Sequence, residues 1–131
     1  MPGETNLTQL LRIMRPTLNE GEYVFCIVPE DQKVDPAVII GSFKEKEGLT
    51  IILSKDEADK FNLPYTYIAS WLTLTVHSSL EAVGLTAAFS AELAKNSISC
   101  NVVAAYYHDH IFVAKDDAIK AIAVLQQLAN Q

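Results

Sequence analysis

The stretch from Ser70 to Lys95 most constrains what this chain can fold into. In "SWLTLTVH", Leu72, Leu74 and Val76 alternate with Trp71, Thr73, Thr75 and His77. That is the period of a strand with one buried face. "SSLEAVGLTAAFSAELAKN" follows, and its Leu85, Phe89 and Leu93 recur every fourth position, as one helical stripe does. A strand period giving way to a helical one predicts a crossover. "ISCNVVAAYY" and "HIFVA" predict two further strands. Asp116 stands where it would cap a last helix carrying Ala118, Ala121, Ile122, Leu125 and Leu128 on one face. The order β-α-β-β-α predicts an α+β, ferredoxin-like unit, an antiparallel sheet with its helices on one face.

The first half repeats these ingredients less cleanly. Thr5 is placed to cap a short helix bearing Leu7, Leu10, Leu11 and Met14, and Pro16 stops it. "EYVFCIVP" (Glu22–Pro29) reads as a strand, and "DQKVDPAV" as a polar turn. "GSFKEKEGLTIILS" reads as two strands turning at Glu47-Gly48. Ser54 then caps a short helix whose first turn is acidic. "NLPYTYIAS" (Asn62–Ser70) is the seam, which gives an N-terminal unit at 1–66 and a C-terminal unit at 67–131.

Composition narrows the function classes. The 131 residues suit one domain or two small ones, and half of them are hydrophobic, unlike a disordered chain. Seven basic residues stand against eleven acidic ones before position 67, and three against five after it. An acidic chain without a Lys/Arg cluster argues against nucleic acid and anionic membrane as partners. The opening "MPGETNLTQLLRIMRP" lacks the apolar core of a signal peptide, and no apolar run is long enough to span a bilayer, so the expected location is cytoplasmic. Cys26 and Cys100 lie in apolar strand-like runs, without zinc-ligand spacing, and read as free thiols.

The second half resembles an ACT domain, the small-molecule-sensing regulatory module. The residues that carry the resemblance are Glu81-x-x-Gly84-Leu85, then Phe89, Leu93-Ala94 and Ile98-Ser99. "ISCNVVAAYYHDHIFVAKDDAIKAIAVL" is also similar to the ACT subtype of aspartate kinase regulatory regions and arginine sensors. The first half is similar to a divergent companion unit, on "EYVFCIVP" and "GSFKEKEGLTIIL". Val83 stands where the family often has Pro, Glu81 where it often has Asp, and Ser97 where it has Gly. The resemblance implies two ferredoxin-like ACT units in tandem. It also implies a small regulatory protein that binds a metabolite, an amino acid first of all, as a homo-oligomer, a dimer in the simplest case. With no catalytic domain attached, the regulated enzyme is expected to be another chain.

The ligand site implied by the resemblance is the strand–helix junction: Ser78, Ser79, Leu80, Glu81, Val83, Gly84 and Leu85. A helix N-terminus offers backbone N–H groups and a positive dipole end to a carboxylate. Gly84 lets a ligand or another backbone approach closely. Glu81 is placed to take an ammonium group, and Asn101 to bridge with its amide. The same residues have a structural reading, in which Ser78 and Glu81 form a capping box and Gly84 serves packing.

The triplet His108-Asp109-His110 invites a metal or proton-transfer reading. Its place between two strands favours a hairpin tip, with Asp109 as a turn residue. No nucleophile elbow, phosphate loop or dinucleotide fingerprint occurs, so neither enzyme, cofactor nor metal is expected. A second functional class remains, in which a ligand-free dimerisation or adaptor module uses the face of Trp71, Thr73 and Thr75 to hold a partner.

Overall fold

The computed structural model describes residues 6–76 and 83–130. The chain forms two compact units that do not divide at a single point. One comprises residues 1–20 with 70–131, the other residues 21–69. The helices are α1 (Leu7–Ile13), α2 (Lys55–Lys60), α3 (Leu85–Lys95) and α4 (Ala118–Ala129). The strands are β1 (Arg15–Val28), β2 (Gly41–Glu45), β3 (Gly48–Ser54), β4 (Ile68–Thr75), β5 (Asn101–Ala104) and β6 (Asp109–Ala114). These strands are antiparallel and the fold is α+β, as the ferredoxin-like plan requires.

In the unit formed by the two chain ends, the strand order is β1-β4-β6-β5, with β1 contributing Arg15–Glu20. The alternation in β4 does what its period demands. Leu72, Leu74 and Val76 are buried, and they join Ile111 and Val113 of β6 in one core. Three helices close that core. Leu85, Phe89 and Leu93 enter from α3, Ala121, Leu125 and Leu128 from α4, and Leu10 and Met14 from α1. A seven-residue helix such as α1 is marginal alone, so its place in this core is what holds it.

In the other unit the order is β2-β3-β1, with β1 contributing Gly21–Val28. The register pairs Val24 with Leu53 and Cys26 with Ile51. One sheet face thereby gathers these four under Ala58 of α2 and Leu63. Ser54 caps α2 as its sequence suggests, its Oγ accepting from the Glu57 N–H at 3.2 Å.

Several local readings need correction. Asn6 caps α1, its Oδ1 accepting from the Gln9 N–H at 3.0 Å, while Thr5 lies outside the described residues. The helix stops at Ile13, well before Pro16, and β1 starts at Arg15. Pro16 disfavours a helical conformation for the residue before it, which sets Arg15 extended. The strand thus begins seven residues ahead of Glu22. Gly21, at φ +100°, lets it continue where another residue would be strained. Asp116 does not cap α4. Lys115–Asp117 form a 3-10 turn, and the Ala118 N–H returns to the Lys115 carbonyl.

Phe89 is fully buried. Phe89→Ala is expected to destabilise the protein by about 3–5 kcal/mol through lost transfer energy and the cavity left behind. Urea unfolding followed by far-UV circular dichroism measures it.

Candidate functional site

The strand–helix junction is built by the end of β4, with Val76 just after it, and by the start of α3. Helix α3 spans Leu85–Lys95, with Gly84 as its N-cap, while the expected capping pair Ser78 and Glu81 lies outside the described residues. Gly84 takes the left-handed conformation, φ +98° and ψ −15°, and its carbonyl accepts the first helical bond, from the Ala88 N–H at 2.9 Å. A glycine cap has no side chain to satisfy the first-turn N–H groups, and that turn carries no acidic residue. The positive end of the helix dipole is therefore not offset by any side chain of α3's own first turn.

The remaining expected site residues are distributed as follows. Val83 is 84% exposed, whereas Leu85 is buried in the core. A Cβ built on Gly84 would lie 3.2 Å from Leu7 Cδ2, so α1 packs directly over the glycine. The register sets Asn101 opposite Phe112, to whose carbonyl its Nδ2 donates at 3.3 Å. Phe112 in turn stacks on Trp71, in the middle of β4. Ser78, Ser79, Leu80 and Glu81 lie outside the described residues, as does His77.

The His108-Asp109-His110 triplet is divided between turn and strand. The Ala105 N–H donates to the His108 carbonyl at 3.1 Å and closes the turn. Asp109 is not a turn residue. It opens β6 opposite Ala104 and is buried, which pushes its carboxyl pKa above the ordinary value. His110 points to the other sheet face, where Trp71 Nε1–H donates to its Nδ1 at 3.0 Å. Thr73 Oγ1 lies 3.2 Å from the same nitrogen and accepts from Asn19 Nδ2 at 2.9 Å. The Trp71 hydrogen bond fixes Nδ1 as an acceptor and leaves the imidazole proton on Nε2. Burial, and to a lesser degree His108, lower the His110 pKa.

The polar-aromatic face of β4 is thus occupied by its own unit: His110, Phe112 and Asn19 meet the Trp71 and Thr73 side chains. Sequence reading missed Asn19, because residues 16–21 carry no strand-like run of apolar side chains. Among the described residues no group of three metal-ligating side chains converges. Both cysteines are free. Burial raises the Cys26 thiol and pushes that of Cys100 up to about 11, so both remain protonated at neutral pH.

Two family models, each described as an ACT domain, match residues 2–70 and 67–127. The chain belongs to the ACT domain family and carries two such domains in tandem. It is 47% identical to a protein of unknown function from Vibrio cholerae, described as a possible transport protein. That structure superposes with a TM-score of 0.83 over 94% of this chain and 95% of the other. The ligand-free regulatory subunit of aspartate kinase from Thermus thermophilus shares the fold at 8% identity. Its TM-score is 0.65 over 90% of this chain and 97% of its own. No curated protein matches the chain. ACT domains are regulatory modules that bind small-molecule ligands and form oligomers. No described helix is long and apolar enough to cross a membrane.

Two outcomes follow from this geometry. Gly84→Ala forces a side chain into a left-handed position and against Leu7, so the free energy of unfolding should fall by at least about 1 kcal/mol, measured by urea unfolding. A lowered pKa means that folded His110 resists a proton which the unfolded chain accepts. Its contribution to stability is therefore complete above the ordinary value of about 6.5 and is lost as pH falls from there towards the folded pKa. Protonation also sets two donors against each other at Nδ1. The emission of Trp71, the only tryptophan, should change with a midpoint below about 6.5. His110→Gln should abolish that transition and flatten the acid loss of stability.

Proposed function

We propose that this protein is a metabolite-sensing regulator that binds an amino acid at the strand–helix junction of its C-terminal ACT domain. The observation that carries this reading is the start of α3. Gly84 holds a left-handed cap, and no acidic side chain stands in the first turn. In an ACT domain such an end suits the ligand carboxylate, which backbone N–H groups receive without a competing side chain. Glu81 takes the ligand ammonium in this proposal, Ser78 and Ser79 line the approach, and exposed Val83 forms its rim. Asn101, whose amide donates to the Phe112 carbonyl, is given no role in it. The protein acts as a homodimer in the cytoplasm and transmits ligand occupancy to an enzyme.

A thermal-shift screen of the full chain against the twenty amino acids, repeated on Glu81→Ala, tests the proposal. Ligand at one hundred times its dissociation constant adds about 2.7 kcal/mol, a rise on the order of 10 °C in Tm for a chain of this size. One amino acid, or a few related ones, should raise Tm in the parent protein and not in the variant. If no amino acid moves Tm, or if the rise survives in Glu81→Ala, the site assignment is wrong.

A further inference from the structure

We infer that the N-terminal ACT unit carries a separate binding site, on the sheet face opposite α2, for a small molecule with an apolar body and an ammonium group. The cross-strand register sets Phe43, Thr50 and Ile27 in one row and Gly41, Ile52 and Phe25 in the next. Paired residues share a face, so these side chains lie on the side away from Val24, Cys26, Ile51 and Leu53, which form the core with α2. That outer face is apolar, and although Ile52 within it is buried, part of it is open. Ile27 is 50% exposed and Phe43 72% exposed.

Between β1 and the segment that precedes β4, the outer face opens into a cavity of about 360 Å³. Phe25, Ile27 and Thr50 form one side, Pro64, Tyr65 and Thr66 the other, and Cys26 lines it at the edge of β1. The cavity exists because β4 starts only at Ile68, so the outer edge of β1 there faces a non-strand segment. Its far wall is fixed in place. Tyr65 Oη donates to Asp59 Oδ1 at 2.8 Å, and Lys55 Nζ holds the same carboxylate at 3.1 Å. A preformed opening of this size accommodates a small ligand with one ring or one branched aliphatic group.

The charge preference comes from Glu45. Its carboxylate accepts from the hydroxyl of Thr50, a residue of the cavity wall, and among the described residues that hydroxyl rather than a cation is its partner. No cationic side chain lines the cavity, and Lys55 Nζ, 5.9 Å from the centroid of the Tyr65 ring, is already neutralised by Asp59 at 3.1 Å. Glu45 does not itself line the cavity; joined to its wall through the Thr50 hydroxyl, its carboxylate favours an amine and repels an acid of the same shape. This inference stands apart from the junction site and uses none of its residues.

The test uses the full chain, ¹⁵N-labelled, titrated with phenethylamine and with phenylacetate, which share a ring and differ in charge. Phenethylamine should shift the amides of Ile27, Thr50 and Thr66 saturably. Phenylacetate should bind about tenfold more weakly, the step expected of one charge-assisted contact. Glu45→Gln, at an exposed position, should keep the fold and remove the difference between the two probes. Shifts confined to other amides, Gly84 and Leu85 included, would overturn the inference. So would equal binding of the two probes, or a preference that survives Glu45→Gln. A failed amino-acid screen leaves this outcome untouched, so the two readings fail separately.

Discussion

The unit formed by the chain ends depends on one contact: the Leu85, Phe89 and Leu93 stripe of α3 laid on Leu72 and Leu74 of β4 and Val76 just after it. It brings together an element of period two and one of period 3.6, each with a single apolar face. Once the two faces meet, the remaining elements have fixed surfaces to bury. Helix α4 completes the layer beside α3, and the short α1 has a groove that supplies the packing it cannot provide for itself. Because α1 closes over Gly84 through Leu7, the start of the chain also shapes the entrance to the junction.

The opposite face of β4 follows another rule. Trp71 and Thr73 carry polar groups that need partners when half-buried. Within their own unit, His110 accepts from the indole N–H and Asn19 donates to the threonine hydroxyl. An imidazole held as an acceptor is a neutral imidazole, which makes this cluster sensitive to acid although none of its members takes part in the proposed ligand contacts. Thr75, the next residue on that face, stays exposed.

The two ACT units share a family and differ in where they leave apolar surface. In one, the outer sheet face is capped by Trp71 stacked on Phe112 at 6.2 Å. In the other, Phe43 and Ile27 stay exposed beside a cavity whose wall a Lys55–Asp59–Tyr65 relay of hydrogen bonds holds in place. These bonds lie at the surface, and their value is in positioning a ring rather than in adding stability.

Periodicity alone determined that β4, α3 and α4 exist, which of their faces are buried, and that strands and helices alternate in an α+β order. Those properties depend on residues a few positions apart, where covalent geometry fixes the relation between side chains. The ACT motif around Gly84 was equally local and led to the family. What only tertiary structure decided were relations over long distances in the chain. Helix α1 joins the core of residues 70–131, and β1 starts at Arg15 because pairing satisfies a backbone whose side chains show no strand pattern. Asn19 meets Thr73, and Asp109 is buried at a strand start where its neighbours suggested a turn. Gly84 caps α3 because a left-handed glycine can end the approach and begin the helix in one residue. Such outcomes rest on which distant surfaces meet, and no local window of sequence contains that information.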